Sequence, residues 1–345
     1  MGGILVHSRT LVSVSLFAIA LAAVLLLTSS NHAPLATGET IRVGWQIPWA
    51  TEGQLTQVLK HTDILANNGL TAEFNGFSSG APLNEAALAG GVDVLFTADQ
   101  PAATLLSKSD DWVIIGRLMY NRVALYVPPE SPIMTVADLR GKTVGMPFGA
   151  AAQRMAVKAE KDAGLDPKVD VNNVNLGIYE QADLVKSPTA KTWGGIDALA
   201  GFDPTPAIFE EKSLARIIRT DKIVSLILMS KSFIASHPDA PTKFLRAFRE
   251  AYDFYRVNTT QANAWFIADS GLNVTEHALD VSAAIEPNLN ATSSAGIRIS
   301  LTPEDYAIMQ GAADFLFDNA MITKRVNMSG CVDTRYVTEV EGGAP

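Results

Sequence analysis

The sequence predicts an α/β protein built on an open, largely parallel sheet, and three observations carry that prediction. Short apolar or alternating runs recur between helix-patterned runs along most of the chain, and Gly, Pro, Ser and Asp mark the junctions. Residues 71–101 show the pattern most clearly, with two strand–turn–helix junctions close together. The length of 345 residues allows two domains.

Within 71–101, residues 71–75 alternate like a strand. Ser78, Ser79, Gly80, Ala81 and Pro82 form a helix-start signal, with a hydroxyl available as cap and proline in the first turn. Leu83, Ala86, Ala87 and Leu88 give that helix a small apolar face, and Gly90-Gly91 stops it. Residues 92–96 are a short apolar run suited to a buried parallel strand. Asp99 is expected as the N-cap of the next helix, with Pro101 just inside it. Two helix N-termini therefore meet one edge of the sheet. Backbone N–H groups and helix dipoles point there, and open α/β sheets bind small ligands at that edge.

Upstream, residues 41–46 read as the first strand. Thr51-x-x-Gln54 is a capping box for a helix that Gly69 ends, and it brings a third helix start to the same edge, with Gln46 and Trp49 at its mouth. Strands are expected at 112–118 and 122–127. Thr135 and Asp138 cap a short helix, and 143–146 is a strand. Residues 147–153 turn into a helix that Gly164 stops. Further strands are expected at 174–178, near 193–199, at 214–219 and at 224–229. Tyr179 and Glu180 sit at one helix start, and Phe202 and Asp203 lead another. After Pro238 the pattern is helical. Phe244, Leu245, Phe248, Ala251, Tyr252 and Tyr255 form one core-facing stripe, and Tyr306, Met309, Ala313, Leu316 and Phe317 form a second. Beyond about Arg335 a loose tail is expected.

Residues 11–27 are apolar and uncharged, follow Arg9, and precede the small residues Ser29, Ser30, Ala33 and Ala36. They read as a signal peptide, or as a signal anchor if uncleaved. No cysteine follows, so lipid attachment there is excluded. The single cysteine, Cys331, excludes an intrachain disulfide and a multi-cysteine metal site. A net charge of −9 leaves no basic stripe for nucleic acid. No Walker motif, His-Glu-x-x-His or Gly-x-Ser-x-Gly elbow occurs, and the five histidines lie away from the turns at the sheet edge.

Several short passages carry a resemblance. Ser79–Pro82, Gly91-Val92-Asp93 and Ala98–Pro101 match a "S-G-x-P … G-x-V-D … x-D-x-P" pattern. Val136-Ala137-Asp138-Leu139-Arg140-Gly141-Lys142-Thr143-Val144, Gly201-Phe202-Asp203-Pro204 and Ser236-His237-Pro238-Asp239-Ala240 continue it. The chain resembles, over about residues 41 to 320, the NMT1/THI5-like substrate-binding proteins of ABC importers. That branch handles nitrate, taurine, aliphatic sulfonates and thiamine-pyrimidine precursors.

The resemblance implies a type II periplasmic-binding-protein-like fold, two α/β domains joined by a two-crossing hinge with the ligand cleft between them. It implies a signal segment at 1–38, a discontinuous first domain of 39–124 plus 226–335, a second domain of 125–225 and a flexible tail at 336–345. The implied role is periplasmic capture of a small organic nutrient by a monomer. The nutrient is delivered to ABC permease transmembrane subunits driven by a cytoplasmic ATPase, with no catalysis, no cofactor and no metal. An enzyme on the same fold and a membrane-anchored ligand sensor are the alternatives. A thiamine-pyrimidine synthase of this fold carries a cysteine-rich motif that is missing here.

The turns at the sheet edge nominate Gln46, Trp49, Thr51, Ser78, Ser79, Gly80, Ala98, Asp99, Gln100, Phe148, Gly149, Ala150, Gln153, Tyr179, Glu180, Phe202 and Asp203 as ligand-binding residues. These turns contain no Lys or Arg, and Ala150-Ala151-Ala152 lacks the Ser/Thr that many sulfonate binders place there. A zwitterion, amine or neutral heterocycle is therefore expected. Its donor would meet Glu52, Asp99, Glu180 or Asp203, and its ring or cation would lie on Trp49 or Phe202. Capping is the competing role for Asp99 and Asp203.

Overall fold

Alternation decides which side each strand residue faces. Val94 and Phe96 enter one apolar cluster and Leu95 the other; Ile227 and Met229 divide from Leu226 and Leu228 in the same way. Strands buried on both faces need helices on both sides, and the structure, a computed structural model describing residues 39–342, supplies them.

The chain runs β1 (Glu39–Gln46), α1 (Glu52–His61), β2 (Leu70–Phe77), α2 (Gly80–Leu88), β3 (Val94–Ala98), α3 (Asp99–Lys108), β4 (Trp112–Val127) and β5 (Thr143–Met146). It continues with α4 (Ala151–Asp162), β6 (Asn172–Asn175), α5 (Ile178–Leu184), β7 (Ala198–Phe202), α6 (Thr205–Glu211) and β8 (Arg216–Ser230). Helices α7 (Lys231–Ser236), α8 (Ala240–Val257), α9 (Thr259–Asp269), α10 (Glu276–Ala283), α11 (Pro303–Asp318) and α12 (Arg335–Gly342) follow.

The strands form one eight-stranded sheet in the order β2-β1-β3-β8-β4-β7-β5-β6. Two parallel trios, β2-β1-β3 and β7-β5-β6, flank a long antiparallel pair. That pair is longer than expected: the separate strands anticipated at 112–118 and 122–127, and at 214–219 and 224–229, are each continuous. Register shifts in the β4–β8 ladder between Ile114 and Gly116 and between Arg117 and Met119 let β4 carry on through the polar residues that suggested a break.

Register also places the site. Strand β3 ends with Ala98 opposite Ser225, which pairs with Met119 of β4. Strand β7 ends with Phe202 opposite Val123 of the same strand. The carboxyl ends of the two trios therefore point at each other along β4, four residues apart, roughly 13 Å at strand rise.

Helix α8 presents Phe244 and Phe248 to Phe96 at 5.9 and 5.4 Å between ring centroids. Met309, Ala313 and Leu316 of α11 join the opposite cluster with Leu105 and Leu106 of α3. The expected loose tail is corrected: residues 335–342 form α12. Val337 and Val340, three apart on one helix face, are buried there, and Glu339 bonds Thr242 and Arg246 of α8. The apolar run at 11–27 lies outside the described residues, and no described helix is long and apolar enough to cross a membrane.

Candidate functional site

The facing ends of the two trios meet in a crevice that closes over polar side chains. At the end of β1, the Gln46 N–H donates to Oε1 of Glu52 in the first turn of α1, at 2.6 Å. Between them Thr51 sits at φ 68°, a left-handed conformation that is strained for a β-branched residue and that recurs at functional sites. The Thr51 N–H donates to Gln54 Oε1 at 2.6 Å, one arm of the expected capping box. Gly80 opens α2 where a Cβ would lie 2.5 Å from Pro101 and 3.5 Å from Gln46 Oε1, so only glycine lets α2 and α3 start this close together.

Two arginines outside the nominated turns set the electrostatics. Arg154, in the first turn of α4, donates from Nη2 to Asp99 Oδ2 at 2.5 Å, a buried ion pair between the second trio's helix and the first trio's. Asp99 is the first residue of α3, not its cap, and its other oxygen accepts the Gln100 N–H. Arg122, on β4, clasps Asp203 with two bonds of 2.8 and 3.0 Å and also reaches Glu210. Asp203 additionally accepts the Ala207 N–H in the first turn of α6; the N-cap position itself is Pro204, so Asp203 stands one residue before the cap. Burial pushes both aspartates above the usual carboxylate range, while their arginines pull against it. Neither aspartate is free to receive a cationic ligand group.

Glu52 differs from them. It is fully buried, and no cation pairs with it among the described residues. Burial pushes its carboxyl well above the usual range, opposed only by the Gln46 N–H.

Unpartnered polar atoms gather here. Among the described residues, Gln46 Nε2, Trp49 Nε1, Glu52 Oε2, Thr97 Oγ1, both amide atoms of Gln100, Asn121 Oδ1, Arg154 Nε and Ser225 Oγ are buried without a hydrogen-bond partner. Buried polar groups in proteins are nearly always partnered, so such a concentration marks a place for a polar solute or ordered water. The β1–β3 register, Val43 with Val94 and Gly44 with Leu95, brings Gln46 alongside Thr97. Ser225 lies one strand further along, opposite Ala98.

The other nominated residues divide. Trp49 and Phe202 are buried, but they stack on each other at 4.1 Å, which takes their faces away from a ligand ring. The adjoining backbones are joined, since the Ala50 N–H donates to the Asp203 carbonyl. Ala98 and Ala150 are buried, each immediately before a helix start. Gly149 (φ 81°) approaches Ala81 of α2, and its N–H donates to Gln153. Tyr179 bridges the two sides through its hydroxyl to the Ser270 carbonyl at 2.9 Å. Ser79 precedes α2 without making a side-chain cap bond. Ser78, Phe148 (41% exposed) and Glu180 face solvent, and Glu180 folds back over Gly177; these three are not brought into the crevice. A groove of about 540 Å³ between α4 and the end of α11 shares Gln153 with the crevice and includes Lys161 and Asn319, which are bonded to each other.

Arg154, Arg122, Asn121 and Ser225 escaped the sequence reading because they lie outside the turns it searched, and Thr97 was passed over at the start of one of them. Arg154 stands one residue past a nominated turn. Asn121 and Arg122 are polar residues inside a mostly apolar strand, which is the signal that could have found them.

An open sheet whose two parallel trios face each other across a pair of crossing strands is the architecture of type II periplasmic binding proteins. The chain belongs to the family described as NMT1/THI5 like, whose profile matches residues 66–262. A relative from Escherichia coli strain K12, whose name proposes aliphatic sulfonates as its ligand, is 24% identical over 321 residues, 90% of this chain and 93% of that one. The crystal structure of the periplasmic aliphatic sulphonate binding protein SsuA from Escherichia coli aligns with TM-score 0.69 and 22% identity, covering 86% of this chain and 93% of that one. The desulfurization enzyme DSZB shares the fold as well, with TM-score 0.62 and 14% identity over 88% of this chain and 99% of that one.

Proposed function

We propose that this protein is the solute-binding component of an ABC importer, holding a small organic molecule in the crevice between the two sheet halves and presenting it to a membrane permease outside the cytoplasm. The carrying observation is the cluster of unpartnered buried polar atoms at the facing strand ends, in a chain of the NMT1/THI5-like family. Residues 39–124 plus 226–335 form one lobe, and residues 125–225 form the other. The lobes are joined by two strand crossings, a hinge with few bonds to turn.

Entry requires the lobes to part. Several of the bonds that cross between them are single and exposed: Lys161 to Asn319, Lys212 to the Asn273 carbonyl, and Thr275 to Glu211; the buried Arg154–Asp99 pair crosses as well and must separate with them. Exposed pairs of this kind contribute at most about 1 kcal/mol each.

Binding is favoured over catalysis by the state of the charged groups. Asp99 and Asp203 are held by arginines, and no cysteine or histidine is among the crevice residues named above. A thermal-shift screen of small nutrients on the full chain, followed by mass spectrometry of each stabilising compound, tests the reading. A stabilising compound recovered unchanged supports it; conversion of the compound by the purified protein contradicts it.

A further inference from the structure

Asp99, Arg154 and Glu52 are the charged side chains buried where β1, α1, α3 and α4 meet. Asp99 and Arg154 cancel each other at 2.5 Å. Glu52 has no counter-charge among the described residues, and its one hydrogen bond is accepted from a backbone N–H. A buried carboxyl in that setting neutralises by keeping its proton. Arg122, the second arginine, is likewise paired, with Asp203 and Glu210, so the crevice offers no net positive charge. An anion could reach Arg154 only by displacing Asp99, which would then be a buried charge without a partner.

The unpartnered atoms at the same place are of both kinds. Gln46 Nε2, Gln100 Nε2 and Arg154 Nε donate, and Gln100 Oε1 and Asn121 Oδ1 accept. A proton on Glu52 Oε2 adds a donor.

We propose, resting on the solute-binding reading, that this crevice selects an uncharged polar solute carrying both N–H or O–H donors and carbonyl or ring-nitrogen acceptors, such as an amide, a ureide or an amino-substituted heterocycle, and turns sulfonates away. The polar atoms named are all sealed from solvent, so a solute that meets them is enclosed. The upward push on the Glu52 carboxyl agrees with its role as a neutral donor.

Titration calorimetry of the full chain at neutral pH tests this with ethanesulfonate as the anionic probe and nicotinamide, allantoin and cytosine as uncharged probes. At least one uncharged probe is expected to bind more tightly than ethanesulfonate. Asp99→Asn frees the Arg154 charge, so ethanesulfonate should bind that variant at least about tenfold more tightly than the unaltered protein; Asp99→Ser serves if Asp99→Asn does not fold. Ethanesulfonate binding the unaltered protein more tightly than every uncharged probe overturns the charge selection and leaves the solute-binding reading standing. If no probe binds the unaltered chain, the variant still decides. Ethanesulfonate binding gained on Asp99→Asn supports a neutralised arginine, and none gained overturns it. Conversion of a probe to product would instead overturn the solute-binding reading.

Discussion

Replacing Arg154 with methionine tests the buried pair that spans the crevice. The apolar stem is kept and the guanidinium removed, so Asp99 stays fully buried with only the Gln100 N–H to support it. Breaking a buried ion pair by removing one partner costs about 3–5 kcal/mol, and Arg154 is only 8% exposed, so little solvent screening reduces that figure. Asp99 can escape part of the cost by taking up a proton, which leaves roughly the 1–3 kcal/mol of an imperfectly partnered neutral group. Burial already holds the folded-state pKa of Asp99 above its unfolded value, and losing Arg154 raises it further. The folded chain then binds more protons than the unfolded one, so stability falls as pH rises above about 4. Urea unfolding at pH 5 and pH 8 should therefore show Arg154→Met losing more at pH 8, by about 2 kcal/mol. Adding Asp99→Asn should recover most of the pH 8 loss. An equal loss at both pH values, or no recovery in the double variant, would refute a buried pair at this position.

Glu52→Gln should raise the melting temperature relative to the unaltered chain, by an amount that grows from near zero at about pH 4.5 upward. The folded state holds the Glu52 proton to higher pH than the unfolded state does, and that pH-dependent cost disappears in the amide; a difference that shrinks with rising pH would count against the assignment. Gly80→Ala places a methyl 2.5 Å from the rigid Pro101 ring and should cost about 1–3 kcal/mol in urea unfolding, whereas Gly90→Ala, a left-handed position with open space around it, should cost about 1 kcal/mol from backbone strain alone. Val337→Asp buries a charge under α12 and should lower the melting temperature by several degrees; an unchanged melt would mean that α12 is not docked.

Much of the fold was legible because its strands and helix starts carry local signals. The Ser79–Pro82 and Ala98–Pro101 junctions stand where the pattern put them, and the parallel β2-β1-β3 trio follows from short crossovers. What local pattern missed is long-range. The continuity of β4 and β8 depends on their pairing with each other, which a polar residue inside either strand does not reveal. The docking of α12 depends on burying Val337 and Val340 and on Glu339 meeting Thr242 and Arg246 of α8, far away in sequence. At the site, Gln46, Gly80, Asp99 and Gln100 were readable as turn residues. The arginines that neutralise Asp99 and Asp203 were not, because each reaches its partner from a different element: Arg154 from α4 and Arg122 from β4. Trp49 and Phe202 read as free aromatic faces, because nothing local shows that the two rings stack on each other.

Whether the crevice is where the solute sits is tested most directly by calorimetry with one stabilising compound on the full chain and on Gln100→Leu. Gln100 is fully buried, and both of its side-chain amide atoms lack partners among the described residues, so leucine removes contacts to solute and breaks no hydrogen bond of its amide. One solute per chain is predicted, with affinity reduced by at least about tenfold in the variant, the value of one well-placed hydrogen bond in a buried site, and with the melting temperature of the solute-free protein undiminished. Unreduced affinity in Gln100→Leu would contradict the account, because the solute would then be held somewhere other than the facing ends of the two parallel trios.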